Sequence, residues 1–263
     1  MSSSPSTPAL MSLAPDEVHV WITEPERIEQ PRLLEAYWGV LSPQEREQQR
    51  KFYFEKHRRQ YLVSHALVRL TLSRYEAVRP EAWAFRTNAY GRPEVMGEGS
   101  PRLHFNLSHT DGMAVVAVAL DAEVGVDVED AQRHGETVML ADRYFAPAEV
   151  AALRALPVEL QQERFFEYWT LKEAYIKARG MGLSLPLGQF AFELRPGQLP
   201  RISFDPRLRD DPEGWQFVQL RPSARHQAAL AVRRPRLQPL QVRWQRIVPG
   251  GEEEAPELLK AQG

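Results

Sequence analysis

The chain has no cysteine among its 263 residues, which excludes disulfide bonds and thiolate metal sites and fits a reducing compartment. No stretch reaches the roughly 18 consecutive apolar residues that a membrane span needs. The N-terminal MSSSPSTPALMSLAP lacks the basic and apolar regions of a signal peptide. The formal charge of −2 and the pI near 6.4 argue against a protein that coats nucleic acid. We therefore expect a cytoplasmic protein that binds neither membranes nor nucleic acid.

Several catalytic motifs are also missing from the sequence. It contains no G-x-S-x-G elbow, no H-E-x-x-H, no Walker A loop and no EF-hand loop. The segment SHTDG at 108–112 places serine, histidine and aspartate together, but the members of a catalytic triad normally come from separate segments. We therefore expect an anion-binding turn there, and not a hydrolase site. The amides of the turn, with Ser108 and His109, would bind the anion.

The hydrophobic fraction of 43% is ample for a sizeable core, and its pattern predicts an α+β protein of two similar lobes. Residues 16–122 contain a strand at 18–22, a helix that starts at the cap Ser42 and runs on into a long core helix, and a hairpin at 103–120. Residues 123–248 repeat this order, with helices at 138–156 and 160–179. Residues 1–15 are predicted to be disordered, and residues 249–263 a flexible acidic tail.

The second long helix carries a carboxylate where an amphipathic helix would carry an apolar residue. Phe166, Trp169, Glu173 and Ile176 follow the spacing of one helical face, so Glu173 is expected to point inward. A carboxylate on that face needs a cation. One of the lysines at 172 and 177 could supply it as an ordinary helix ion pair, and a metal ion is the alternative.

The segment VGVDVED at 124–130 offers the other ligands for such a metal. Read as a strand, it turns its valines to one face and Asp127 and Glu129 to the other, about 7 Å apart by the strand rise. Together with Glu173 they would form an all-oxygen site for a hard divalent ion. The simpler alternative is a strand edge whose carboxylates face solvent.

Taken in order, the motifs FNLSHTDG, GVDVE and WTLKEAYIKARGMGLSLPL resemble those of the 4'-phosphopantetheinyl transferases. The resemblance is to the long, monomeric type that activates the carrier proteins of polyketide and non-ribosomal peptide synthesis. It covers residues 41–194, includes the turn AYGRP, and fades over the last fifty residues. It implies a pseudo-twofold fold of two lobes, each a small antiparallel sheet packed on a long helix.

The resemblance also implies roles for individual residues. Asp127, Glu129 and Glu173 would hold Mg²⁺, and coenzyme A would lie in the cleft between the lobes. The coenzyme A contacts that it implies are Arg58, Arg92, Ser108, His109, Lys172 and Lys177. Arg92 stands where many relatives have lysine, so its contact geometry differs.

The implied activity is that of a holo-[acyl-carrier-protein] synthase, a Mg²⁺-dependent transfer of phosphopantetheine from coenzyme A to a serine of an apo acyl or peptidyl carrier protein. Lys177 would stabilise the leaving adenosine 3',5'-bisphosphate, and Glu173 would take the serine proton, directly or through a metal-bound water. The carrier is expected to dock on residues 138–153, through Leu140, Tyr144 and Phe145. A non-catalytic module that binds coenzyme A or a carrier protein is the alternative.

Overall fold

The computed structural model describes residues 10–96, 103–133, 135 and 137–261. The helices are α1 Pro31–Val40, α2 Pro43–Arg50, α3 Glu55–Leu72, α4 Ala141–Tyr144, α5 Pro147–Arg154 and α6 Val158–Arg179. The strands are β1 Glu17–Thr23, β2 Phe85–Thr87, β3 Pro93–Val95, β4 Leu103–Thr110, β5 Met113–Leu120, β6 Val124–Asp130, β7 Phe190–Glu193, β8 Arg201–Phe204, β9 Trp215–Leu220, β10 His226–Arg233, β11 Leu240–Arg246 and β12 Glu257–Ala261.

Two sheets of the same internal order form the centre of the molecule. The first has the order β12-β11-β1-β5-β4, and the second has the order β6-β10-β9. In each, the first strand of its half of the chain pairs antiparallel with the second strand of a later hairpin, so β1-β5-β4 corresponds to β6-β10-β9. This correspondence confirms the predicted pseudo-twofold α+β fold.

The sheets and the two long helices stack as four layers. Alternate residues of β5 show this directly, because Val115 and Ala117 pack between the two sheets whereas Val116 and Val118 pack under α3. The valines of β6 join the layer between the sheets, and the far face of the second sheet packs on α6. Period-two alternation thus fixes which side of each strand faces which core.

The predicted helices are more interrupted than their sequence patterns indicate. Ser42 caps α2 in a capping box with Glu45, as predicted, but α2 and α3 are separate helices with a break at residues 51–54. The predicted helix at 138–156 is likewise divided into short segments, because Pro147 starts the new helix α5. In the described part of the chain, no helix is both long enough and apolar enough to cross a bilayer.

The end of the chain returns to the first sheet. Strand β11 pairs in parallel with β1, so residues 240–246 belong to the first sheet. The predicted boundary at 248 had placed them in the second lobe. The tail also contains β12, which pairs with β11, so the prediction of a flexible segment at 249–263 is wrong for residues 257–261. Of the segment 1–15 that was predicted to be disordered, residues 1–9 lie outside the described residues.

Candidate functional site between the two lobes

Strand β6 lies directly against α6, and Gly125 makes this contact possible. A Cβ atom at this position would lie 2.1 Å from the carbonyl oxygen of Ala174 and 2.4 Å from the amide nitrogen of Ala178. No side chain larger than hydrogen fits between the two backbones. The close approach brings Asp127 and Glu129 of β6 beside Glu173 and Lys177 of α6.

One edge of β6 pairs with β10, and its other edge faces β4, the edge strand of the first sheet. The two strands are joined by side chains of β4 that accept hydrogen bonds from alternate amides of β6. These β4–β6 bonds run from the amides of Val126, Val128 and Asp130 to Asn106 Oδ1, Ser108 Oγ and Thr110 Oγ1, at 2.8, 3.3 and 3.3 Å. Amides that an edge strand would leave unpaired are thereby satisfied.

Asp127 is the centre of a compact polar cluster. Its Oδ1 accepts a hydrogen bond from Ser108 Oγ at 2.9 Å and lies 2.6 Å from the ammonium nitrogen of Lys177, which also donates to Ser108 Oγ at 2.8 Å. Asp127 is only 4% exposed, and its Oδ2 is buried without a hydrogen-bond partner. One carboxylate oxygen is therefore still available for a ligand.

Glu129 lies on the same strand face, as the alternation predicted. Burial and the charge of Asp127 raise the pKa of Glu129 to about 7, against the lowering effect of Arg133 and of a hydrogen bond from Trp169. The guanidinium of Arg133 donates to its Oε2 at 3.0 Å. Glu129 thus sits in a desolvated, acidic position where a cation would be stabilising.

Glu173 of α6 is the third carboxylate of the site, beside Asp127 and Glu129 of β6. It is half-buried, and burial followed by the charge of Asp127 raises its pKa while Lys177 lowers it. Among the described residues, no three acidic or histidine side chains form a closed metal-binding group, and the cation that Asp127 contacts is Lys177. The all-oxygen donors and the unpartnered Oδ2 of Asp127 fit a hard divalent ion.

These side chains open into a cleft of about 630 Å³ between the lobes. Its residues include Ser108, His109, Asp127, Glu129, Tyr144, Trp169, Glu173 and Lys177. A second pocket of about 300 Å³ shares Leu107, Glu173 and Lys177 with it and extends toward Arg92 and Gly180. Glu173 and Lys177 therefore stand where the two cavities meet.

Comparison with known proteins assigns the chain to a family. Residues 123–232 match the family model of the 4'-phosphopantetheinyl transferase superfamily, and residues 29–121 match that of the N-terminal part of 4'-phosphopantetheinyl transferases. The 4'-phosphopantetheinyl transferase HetI of Nostoc sp. is 33% identical over 228 residues, which cover 86% of this chain and 91% of HetI. The chain belongs to the 4'-phosphopantetheinyl transferases.

Other relatives agree with this assignment. The 4'-phosphopantetheinyl transferase Sfp of Bacillus subtilis is 32% identical over 160 residues, which cover 61% of this chain and 69% of Sfp. Because family models match both lobes, the chain is a transferase of the long, Sfp-like type. A solved structure of Helicobacter pylori holo-[acyl-carrier-protein] synthase with coenzyme A has a TM-score of 0.34, 17% identity and coverage of 41% of this chain and 96% of that one. This likeness is too low to bear on the present chain.

The structure does not place Lys172 of this transferase in the cleft. Its ammonium group lies 2.7 Å from Oε2 of Glu149 and donates to the carbonyl oxygens of Leu187 and Phe190, and its side chain has no solvent exposure. Since successive helical residues point about 100° apart, Lys172 leaves α6 on a different side from Glu173. The prediction that Lys172 contacts coenzyme A is therefore wrong.

The other predicted coenzyme A contacts differ in their positions. Ser108 and His109 line the cleft, and partial desolvation together with the charges of Lys177 and His65 lowers the pKa of His109. Arg92 lines the adjoining pocket and donates to the carbonyl oxygen of Ala178, near the end of α6, at 2.6 Å. Arg58 lies on the first turn of α3, pairs with Glu55 at 3.1 Å and lines neither pocket.

Two residues that support the site did not stand out in the sequence. Glu149 fixes Lys172 and accepts hydrogen bonds from the amides of Ala146 and Phe192. Asn106 holds β6 one residue before Asp127. The glutamate at the third position of α5, after Pro147, was a detectable capping signal, whereas the partner of Asn106 depends on how two distant strands align.

Proposed function

We propose that this transferase moves 4'-phosphopantetheine from coenzyme A to a serine hydroxyl of apo acyl or peptidyl carrier proteins, in a Mg²⁺-dependent reaction that releases adenosine 3',5'-bisphosphate. This is the activity of a holo-[acyl-carrier-protein] synthase. The observation that carries the proposal is the meeting of Asp127, Glu173 and Lys177 in the cleft between the lobes of a family member. We further propose that the protein acts in the cytoplasm. A single chain would be sufficient for activity, because both walls of the cleft come from one chain.

Cationic and hydroxyl groups of the cleft suit the phosphates of coenzyme A. Lys177 faces both cavities, Arg92 lines the smaller one, and Ser108 and His109 line the larger one. In this proposal the diphosphate lies at the junction beside Lys177, and His109 contacts the 3'-phosphate. A phosphate next to His109 would raise the pKa of the imidazole, opposing the lowering by Lys177.

The carboxylates would hold the metal ion. Asp127, with its free Oδ2, Glu129 and Glu173 would be the Mg²⁺ ligands, and Lys177 would move from Asp127 to the phosphates when substrate binds. When bound, Mg²⁺ supplies charge neutralisation at the diphosphate.

Transfer then requires one bond to form and one to break. The carrier serine oxygen bonds to the β-phosphorus of coenzyme A while the bond from that phosphorus to the bridging oxygen breaks, which releases adenosine 3',5'-bisphosphate. Glu173, whose pKa is raised by burial and by Asp127, takes the serine proton. Lys177 stabilises the negative charge on the leaving group.

The carrier protein would dock beside the cleft on residues 138–153. Met139 is 60% exposed and Leu140 is 39% exposed, and Leu140 and Tyr144 also line the cleft. Phe145 is 5% exposed and stacks on Phe165 in the core, so its predicted role as a docking residue is wrong. Arg143 is exposed beside this surface and provides positive charge for an acidic carrier, whereas Arg154 is paired with Asp142 at 2.8 Å.

An assay of the transfer reaction tests the proposal directly. The protein is incubated with coenzyme A, Mg²⁺ and several apo carrier domains, and each carrier is weighed by intact mass spectrometry. We expect a gain of one phosphopantetheine, which chelation of Mg²⁺ suppresses and Glu173→Gln abolishes. Glu167→Gln is the matched control, because Glu167 lies on the same helix but pairs with Arg164 outside the cleft.

Coenzyme A binding without any gain of mass would contradict transfer and favour the non-catalytic module. Full activity of the Glu173→Gln variant would contradict the role of Glu173 as base.

A further inference from the structure

The strongest feature without an assigned role is the contact of Asn106 with β6. Asn106 is 5% exposed, and its Oδ1 accepts the hydrogen bond from the amide of Val126 at 2.8 Å. This is the shortest of the three β4–β6 bonds, and its donor immediately precedes Asp127. A neutral side chain without acid, base or nucleophilic function therefore sets the position of the chain next to a predicted metal ligand.

Strand β10 pairs with the whole of β6 on one edge, and two further contacts hold β6 at this point. On one side Gly125 rests against the backbone of α6, where a Cβ atom would come within 2.1 Å of the carbonyl oxygen of Ala174. On the other side Asn106 holds Val126. Strand β6 is thus clamped at two successive residues, and Asp127 is the next one. Ser108 bonds both Asp127 and Lys177, so it cannot supply an independent anchor.

We propose that Asn106 is a positioning residue for the Asp127 carboxylate. The inference rests on the proposed function, because it assigns Asp127 to the metal ion. By holding the amide of Val126, Asn106 fixes the backbone from which the Asp127 side chain reaches the cleft lining. Without this acceptor, the amide of Val126 is left unsatisfied in the protein interior and β6 shifts until the amide finds another partner. Outer partners that orient metal ligands typically change metal affinity by about 10- to 100-fold.

The test compares three variants of the full chain. Asn106→Leu keeps the approximate shape but removes the acceptor, and Asn106→Asp keeps an acceptor oxygen in the same place. Thr110→Val is the matched control, because it removes another β4–β6 bond, that to Asp130, at the far end of the strand. Binding of Mn²⁺, with and without coenzyme A, is measured by the loss of the free-ion electron paramagnetic resonance signal.

We expect Asn106→Leu to weaken Mn²⁺ binding at least tenfold, Thr110→Val to change it less than threefold, and Asn106→Asp to bind at least as tightly as the wild type. In the transfer assay, excess Mg²⁺ should restore the kcat of Asn106→Leu, with KM for the carrier unchanged. Hydrogen exchange at the amide of Val126 should be faster in Asn106→Leu and unchanged in Asn106→Asp.

Equal losses in Asn106→Leu and Thr110→Val, or in Asn106→Leu and Asn106→Asp, would overturn the positioning role while leaving the proposed function intact. A wild-type protein that bound no Mn²⁺ would overturn both the proposed metal and the positioning role. Metal binding by the wild type therefore decides the proposed metal site, and the comparison of variants decides the inference.

Discussion

The ammonium nitrogen of Lys172 lies 2.7 Å from Oε2 of Glu149, and neither side chain has any solvent exposure. Burial lowers the pKa of Lys172 and raises that of Glu149, and their mutual attraction opposes both effects. The pair joins α6 to the start of α5, and Lys172 also donates to the carbonyl oxygens of Leu187, before β7, and of Phe190, the first residue of β7. It supports the helix that presents Glu173 and Lys177 to the cleft.

Replacement of Lys172 should therefore affect stability rather than substrate binding. Lys172→Met leaves the Glu149 carboxylate buried without its cation, which should cost about 3–5 kcal/mol in the free energy of unfolding. Lys51→Met, which removes an exposed ion pair with Glu47, should cost less than about 1 kcal/mol. Urea denaturation measures both. If Lys172→Met were as stable as the wild type but bound coenzyme A weakly, the contact predicted from sequence would be restored.

Gly125 should tolerate no larger residue. The Cβ atom of Gly125→Ala would overlap the backbone of α6, so β6 and α6 must separate, and we expect a loss of at least about 3 kcal/mol in the free energy of unfolding. Gly39→Ala is the control, because Gly39 lies in α1 and nothing lies within 4 Å of its added Cβ atom. Alanine in α1 should stabilise the protein by up to about 1 kcal/mol. Comparable stability of the two variants would contradict the close contact.

The parts of the site that the sequence predicted are those with local signals. Alternation in VGVDVED placed Asp127 and Glu129 on one strand face, and helical spacing placed Glu173 on α6, so each carboxylate was identified from its own segment. Lys172 obeyed the same helical rule but was misassigned, because its partner Glu149 lies 23 residues earlier in the chain. No local pattern shows which buried group a lysine meets.

The fold shows the same limit at a larger scale. The repeated order of strand, helix and hairpin was visible in the sequence, and both sheets follow it. The parallel pairing of β11 with β1 joins residues more than two hundred positions apart, such as Val18 and Val242. Only the packing of the complete first sheet selects that partner, so the lobe boundary at 248 was misplaced.

Replacement of Lys177 should lower the rate of transfer much more than the stability of the fold. We expect Lys177→Met to lower kcat by about 10²- to 10³-fold, because it removes the cation proposed to stabilise the leaving group. Lys177→Arg keeps the charge but not the compact ammonium group that lies 2.6 Å from Asp127, so it should recover only part of the rate. The measurement is the initial rate of carrier labelling at saturating coenzyme A. A Lys177→Met variant as fast as Lys51→Met would remove Lys177 from the reaction.

Glu45 should make the protein sensitive to acid. Burial works to raise the pKa of Glu45, but hydrogen bonds from His65 and the amide of Ser42, with the charge of Arg69, lower it from 4.5 to about 2. A lowered folded-state pKa gives stability that is present above pH 4.5 and lost as the pH falls toward 2, at most about 3 kcal/mol here.

The measurement for Glu45 is the urea concentration at the midpoint of unfolding, taken from pH 6 down to about pH 2.5. Over this range the stability contributed by the ionised Glu45 should be lost. The stability of Glu45→Gln should fall less steeply with decreasing pH than that of the wild type. Glu81→Gln, a change at an exposed glutamate, should follow the wild-type curve. Parallel curves for Glu45→Gln and the wild type would show that Glu45 has no such role.

The exposed apolar side chains beside the cleft should govern affinity for the carrier. Met139→Asp and Leu140→Asp place like charge against an acidic partner and remove apolar contact, so KM for the carrier should rise about tenfold or more while kcat at saturation stays near that of the wild type. Leu237→Asp is the control, because Leu237 is 91% exposed in the connection between β10 and β11. Carrier titrations at saturating coenzyme A give both constants. If Leu237→Asp raised KM as much as the other two, general charge repulsion would explain the effect, and residues 138–153 would no longer be the docking surface.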